Sequence, residues 1–144
     1  MSGNPPTGTG PFDGIDPKKF IAEFHASFHD DLVHTDEDAG AIVDRYHTPD
    51  VLQFADGHRM DRAKLIAHAR PIRKTRPTGR MEVHEAFVDG DRIAARSTLH
   101  VAYPDKEPVK ELALEICFFG QYAPDRRLRR AHMLTRVIPA EREE

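Results

Sequence analysis

The sequence predicts an α+β fold in which three N-terminal helices pack on a curved, mainly antiparallel β-sheet. A change of pattern along the chain carries this prediction. Up to residue 69, apolar residues recur three and four positions apart, the spacing of one helix face; from Arg80 onward they recur at every second position, the spacing of one sheet face. Helices first and strands afterwards argue against the alternating order of a parallel α/β sheet. The length of 144 residues, with 39% hydrophobic and 31% charged residues, suits one domain with one core.

Residues 1–14 are rich in Gly, Pro, Ser, Thr and Asn with almost no apolar content, so they are expected to form a disordered tail. Residues 15–139 make the domain and 140–144 a C-terminal tail. Asp16-Pro17 supplies an N-cap and a first-turn proline, and Phe20, Ile21, Phe24, Phe28 and Leu32 follow on one helical face. Thr35-Asp36-Glu37-Asp38 caps a second, short helix carrying Ala39, Ile42, Val43 and Tyr46, which Thr48-Pro49-Asp50 ends. A short strand at 51–54 runs into the turn Asp56-Gly57. Asp61 then caps a third helix that buries Leu65, Ile66 and Ala69 and is expected to break or kink at Pro71. The segments 80–88, 92–103, 110–122 and 127–138 alternate as strands. The short turns between them make consecutive strands antiparallel neighbours.

Composition narrows the function. Acidic residues outnumber basic ones, 24 to 21, for a formal charge of −3, which argues against a dedicated nucleic-acid binder. No apolar run reaches the roughly 20 residues of a membrane span, and the N-terminal MSGNPPTGTGPFDG lacks the charged and apolar blocks of a signal peptide. The expectation is a soluble cytoplasmic protein with no membrane partner. The single cysteine, Cys117, excludes an internal disulfide and sits in an apolar stretch. With no GxGxxG, Walker, GxSxG or HExxH motif, neither cofactor nor metal is expected. His25 and His29 stand four apart on the first helix without a second ligand pair, which reads as a helix boundary. Basic clusters at 62–80 and 126–130 are either a docking patch for an acidic partner or carboxylated substrate, or a solvated face paired with the acidic stretch 30–38.

Alternation assigns the faces of the strands. Leu112, Leu114, Ile116 and Phe118 point inward, opposite Glu111 and Glu115; Ile93, Ala95, Ser97, Leu99 and Val101 point inward, opposite Arg92, Arg96, Thr98 and His100. In the first long strand Met81, Val83 and Phe87 mark the inward face, with Glu85 among them. A carboxylate there is either a proton-transfer group raised in pKa by burial, or is turned outward by twist or a bulge, or is paired with an arginine. His68, three residues after Leu65, either reaches the cavity or covers apolar surface at the helix boundary. In the last strand polarity puts Ala131, Met133, Thr135 and Val137 inward and His132 outward, unless a bulge near Arg129-Arg130 reverses them.

The order of elements resembles the NTF2-like superfamily, most closely its SnoaL-like branch, over residues 16–138. The stretch Tyr46-His47-Thr48-Pro49-Asp50-Val51 leading into Asp56-Gly57, and the hairpin Val88-Asp89-Gly90-Asp91, carry the same resemblance. It implies an NTF2-like, or cystatin-like, cone with a cavity between helices and sheet, and a homodimer formed through the sheet's outer face. That superfamily holds ketosteroid isomerases, polyketide cyclases, scytalone dehydratases, epoxide hydrolases and ligand binders, so two functions are implied. One is a cofactor-independent acid–base enzyme, a cyclase, dehydratase, isomerase or hydrolase, acting on an apolar, polyketide-like molecule. The other is a non-catalytic ligand-binding or protein-interaction module. Laid against the isomerases, His68 falls near a pocket-lining position. Phe54 takes the place of their catalytic base, Phe24 and Phe28 that of their tyrosine, and Phe118 lies near their protonated aspartate. Steroid isomerisation by that mechanism is therefore not expected, and the cavity should be aromatic. Asp36 matches an acidic residue at the end of the first helix in some SnoaL-like and dehydrochlorinase enzymes, or caps the second helix. The candidate set is Glu85, His68 and His132 for proton transfer, and Phe28, Phe54, Leu99 and Phe118 for contact with an apolar small molecule.

Overall fold

Three aspartates set the helix starts. A computed structural model describes residues 10–139 apart from Val109. The Asp16 carboxylate accepts from the Lys18 amide at the head of α1 (Pro17–His34), Asp38 from the Ala41 amide at the head of α2 (Ala39–Tyr46), and Asp61 from the Lys64 amide at the head of α3 (Arg62–Thr75). Each satisfies an amide that a first turn leaves open and lies at the positive end of the helix dipole. Pro71 does not end α3, which continues to Thr75 and closes on Arg76 in the left-handed region, at φ 47°. The proline removes a single donor, and the Thr75 hydroxyl bonds back to the Pro71 carbonyl at 2.8 Å.

The strands are β1 (His47–Ala55), β2 (His58–Asp61), β3 (Thr78–Asp89), β4 (Arg92–Tyr103), β5 (Lys110–Tyr122) and β6 (Leu128–Val137), in the sheet order β2-β1-β6-β5-β4-β3. The four long strands form the expected antiparallel meander. β1 adds parallel to β6, and β2 pairs antiparallel with β1, so the sheet is mixed and open. Two features differ from the sequence reading: β1 begins at His47, and β2 was not foreseen. The Asp56-Gly57 turn between them has both φ angles positive, 51° and 84°, as a two-residue hairpin with right-handed strand twist requires. Asp56 also pins the turn to β6. Its amide donates to the Met133 carbonyl at 2.9 Å, and its carboxylate accepts from the Thr135 amide at 2.8 Å and from the Thr135 hydroxyl.

α1 packs against β3 and β4, and Ile21 and Phe24 of the helix meet Ile93, Ala95, Ile116, Phe118, Tyr122, Leu128 and Ala131 of the sheet. Leu32, Ile42 and Ala69 join the three helices, and Val43, Val51 and Leu65 fasten them to β1. Phe12 also enters this core, 4% exposed, edge-on to Phe20 and Tyr122 at centroid separations of 5.1 and 5.3 Å. The tail expected over residues 1–14 thus stops short of Phe12, whose ring area outweighs the cost of ordering a Gly- and Pro-rich turn. Residues 1–9 and 140–144 lie outside the described residues. Among the described residues, no helix is long and apolar enough to cross a membrane.

One irregularity in β3 alters the face assignment. Val83 pairs with Ser97 but Glu85 pairs with Arg96, so His84 is an extra residue. From that bulge onward the parity inverts: Ala86 packs on the core, while Glu85 and Phe87 turn outward, the latter 65% exposed.

Candidate functional site

The three residues expected to move protons do not converge. Glu85 is on the outer sheet face, where the Arg96 Nε donates to its carboxylate at 2.7 Å, and Arg96 in turn lies 3.7 Å from Glu115. The β3 bulge accounts for this placement. His68 is exposed on α3, because the helix buries the side carrying Leu65, Ala69 and Ile72 and turns Ile66 and Arg73, not His68, toward its neighbours. His132 is exposed on the outer face and stacks on Phe54, with centroids 5.0 Å apart and planes 17° from parallel. Phe54 is thereby corrected from cavity wall to outer face. Phe28, Leu99 and Phe118 do face the interior. Asp36 does not cap α2, since Asp38 holds that place. Arg62 binds Asp44 through two hydrogen bonds, and Arg73 donates to the Leu32 and Thr35 carbonyls, so these two members of the basic stretch serve the helix packing while Lys64, Arg70, Lys74, Arg76 and Arg80 are exposed.

The interior instead gathers polar groups around the ring of Phe24. His25, His47, Tyr46 and Tyr122 surround it at centroid separations of 5.3, 6.2, 5.7 and 5.3 Å. His25 also stands edge-on to Phe118 at 5.4 Å, and His47 edge-on to Phe28 at 5.1 Å. Although the His25 residue keeps part of its surface accessible, protein crowds its imidazole closely. Desolvation, helped by the nearby His47, lowers its pKa to about 4, so it is neutral at physiological pH. His47 is 2% exposed and is shifted down for the same main reason, burial, against the opposing pull of its bond to the Val43 carbonyl and of Asp44. Its Nδ1 lies 2.8 Å from the Val43 carbonyl, which can only accept. Nδ1 therefore carries the proton, and Nε2 is left as an acceptor. The Tyr122 hydroxyl has no hydrogen-bond partner among the described residues, although the residue is 1% exposed, and burial pushes its pKa well above the usual range. Ser97 and Gln53 are two further polar residues buried on the inward faces of β4 and β1.

Three solved structures were compared with this arrangement. A conserved protein from Planctomyces limnophilus superimposes with a TM-score of 0.64 at 15% identity, over 84% of this chain and 97% of that one. A protein classed as a SnoaL-like polyketide cyclase from Shewanella denitrificans gives 0.59 at 12% identity, over 79% and 88%. An LEH-like epoxide hydrolase from M. tuberculosis gives 0.58 at 13% identity, over 82% and 84%. This chain has the NTF2-like fold. No family model matches its sequence, and no curated protein does. At these identities the likeness concerns the NTF2-like architecture alone, and the chemistry must be argued from the residues.

Within this NTF2-like domain the inward polar groups were legible only in part. Tyr122 continues the parity of Phe118 and Gly120 on β5, so alternation alone places it inside. His25 follows Ile21 by four residues and precedes Phe28 by three, the spacing of the core stripe, so it is an inward residue and not the helix-boundary member of a pair with His29 that the sequence suggests. His29 in fact bonds the Pro77 carbonyl at 2.9 Å. Among the described residues no three His, Cys, Asp or Glu side chains group as a metal set.

Proposed function

We propose that this NTF2-like domain binds an uncharged, largely apolar small molecule on its inward side, with the molecule's polar atom held by His25, His47 and Tyr122. The observation that carries this reading is the Tyr122 hydroxyl, a buried donor in aromatic surroundings without an acceptor among the described residues. Such a donor is costly to leave unmet, and a ketone or ester oxygen would satisfy it. Two imidazoles that stay neutral add donors and acceptors without adding charge, which favours an uncharged ligand over an ionised one. The molecule's carbon frame would rest on Phe28, Leu99 and Phe118, each Å² of apolar surface removed from water contributing about 25 cal/mol. A second reading, cofactor-independent acid–base catalysis, rests on His25. The residue is unprotonated at neutral pH, and an imidazolium formed there would be stabilised by negative charge developing on a substrate.

Thermal melts with a panel of uncharged polycyclic ketones and phenols test both readings. Tyr122→Phe is expected to be more stable than the wild type by about 1 kcal/mol without ligand, yet to bind a stabilising ketone about tenfold more weakly. Recovery of the ligand unchanged after long incubation supports binding. Conversion that His25→Gln abolishes supports catalysis. Stabilisation by every ligand that is indifferent to both substitutions would rule out the inward site.

We propose a second copy of this chain as the partner of the outer sheet face. Phe87, Ala94, Phe119, His132 and Phe54 stand opposite one another on successive strands, with Phe119 56% and Leu134 64% exposed. Glu85, Arg96, Glu115 and Arg136 line one side with both signs of charge, which suits a self-complementary contact. Phe119→Arg is expected to weaken self-association at least about 30-fold while leaving the melt of the isolated fold intact. Sedimentation velocity showing a wild-type monomer at high concentration would end this proposal.

A further inference from the structure

A groove of about 660 Å³ runs along one flank of α1, between the turn at Gly14-Ile15 and the Arg45-Tyr46 end of α2, with Arg126 of the β5–β6 turn in its lining. Its volume lies within the range of small-molecule sites. Phe20, Phe24 and Tyr46 supply aromatic lining.

Most of its charges are already answered. Asp16 caps α1 through the Lys18 amide, Lys19 and Glu23 lie 3.9 Å apart, and Arg45 is held by Asp31 at 2.8 Å and by Glu37. Arg126 differs. Its Nε donates to the Pro11 carbonyl at 2.8 Å, and its two terminal nitrogens have no partner among the described residues. Its backbone sits at φ 71°, in the left-handed region where glycine, asparagine or aspartate would relax the turn. The turn closes through backbone bonds, Arg126 amide to Ala123 carbonyl and Ala123 amide to Arg127 carbonyl, both 2.8 Å, which any residue could make. What the arginine adds is a guanidinium anchored at one nitrogen beside an aromatic groove.

We infer that this groove binds a small aromatic acid. The ring lies against Phe20, Phe24 and Tyr46, and the carboxylate or sulfonate takes the free fork of Arg126, whose planar donors match a planar or trigonal oxyanion face. The site differs from the inward one proposed above in the charge it selects, a negative one rather than none, although both border the ring of Phe24.

Fluorescence titration with anilinonaphthalene sulfonate and its uncharged counterpart phenylnaphthylamine tests the assignment. Arg126→Gly, which relieves the backbone, is expected to stay folded, to bind the sulfonate about tenfold or more weakly, and to bind the amine as the wild type does. Ser27→Trp, placing a large ring on the groove wall from an exposed helical position, is expected to weaken both probes. Equal sulfonate affinity in wild type and Arg126→Gly would overturn the inference. So would equal loss of both probes in Arg126→Gly, or indifference of both to Ser27→Trp.

Discussion

Replacing Gly120 by alanine is expected to destabilise the fold by about 1–3 kcal/mol and to lower the melting temperature by roughly 3–10 °C. A Cβ at this position would lie 2.7 and 2.8 Å from two ring atoms of Phe118 and 3.0 Å from the ring of Tyr122. Both rings are held by neighbours on the side away from Gly120. Phe118 is 3% exposed with His25 on its edge, and Tyr122 is 1% exposed between Phe12, Phe20 and Phe24. Alanine would gain somewhat less than 1 kcal/mol from the reduced entropy of the unfolded chain, which does not offset the overlap. Gly79 is the internal control. A Cβ there meets only the His29 ring, at 3.8 Å, so Gly79→Ala should be neutral or stabilising by up to about 1 kcal/mol. Denaturant melts of the two variants decide the matter: similar midpoints would mean that the rings do not abut Gly120. Partial recovery of Gly120→Ala by Phe118→Leu would locate the overlap.

Acidification is expected to reduce stability in two separate windows. In the upper one the unfolded chain protonates His25 at its usual pKa of 6.5, while the folded chain resists until about 4. The unfolded state then holds more protons throughout, so stability falls as pH drops through this range, by about 3 kcal/mol in all, and His47 acts in the same direction. In the lower window the carboxylates give way. Asp31 is held below its usual range chiefly by the Tyr46 hydroxyl and then by Arg45, and Asp44 chiefly by its hydrogen bonds from Arg62. Their contributions are present above the ordinary carboxylate pKa and are lost as pH falls through the lowered one. Urea unfolding at about pH 7, 5.5 and 4.5 should show a steep loss for wild type and a shallower one for His25→Gln, with the two curves falling in parallel at lower pH. Parallel curves in the upper window would show that His25 is not the group responsible.

The sequence made the long strands legible because hard stops bound them. Asp89-Gly90-Asp91 and Ala123-Pro124-Asp125 interrupt alternation abruptly, and Asp16, Asp38 and Asp61 mark helix starts through local chemistry. What escaped was whatever depends on partners remote in the chain. β2 carries His58, Arg59 and Asp61 in four residues and is a strand only because β1 lies beside it. Glu85 was placed by parity, and a single extra residue at His84 reverses parity without leaving a turn residue to announce it. His68 depended on which flank of α3 the other helices would cover, a tertiary question. Within the inward site, Tyr122 and His25 obeyed simple periodicity. His47 gave no signal, since its burial follows from its position between the last turn of α2 and β6.

The sheet order also fixes when the molecule can be finished. β1 borders β6 rather than β3, so among the described strands the hairpin made from residues 47–61 meets a long neighbour through residues 128–137, the last of these strands to be synthesised. During synthesis that hairpin must wait, with one backbone edge of β1 unpaired, while β3, β4 and β5 assemble by nearest-neighbour hairpins and α1 packs against β3 and β4. The step that docks this hairpin on the sheet closes a loop of just over half the chain, His47 pairing with Leu128 and Phe54 with His132. It comes last, and it is the stage at which an incomplete chain is most exposed to pairing with another.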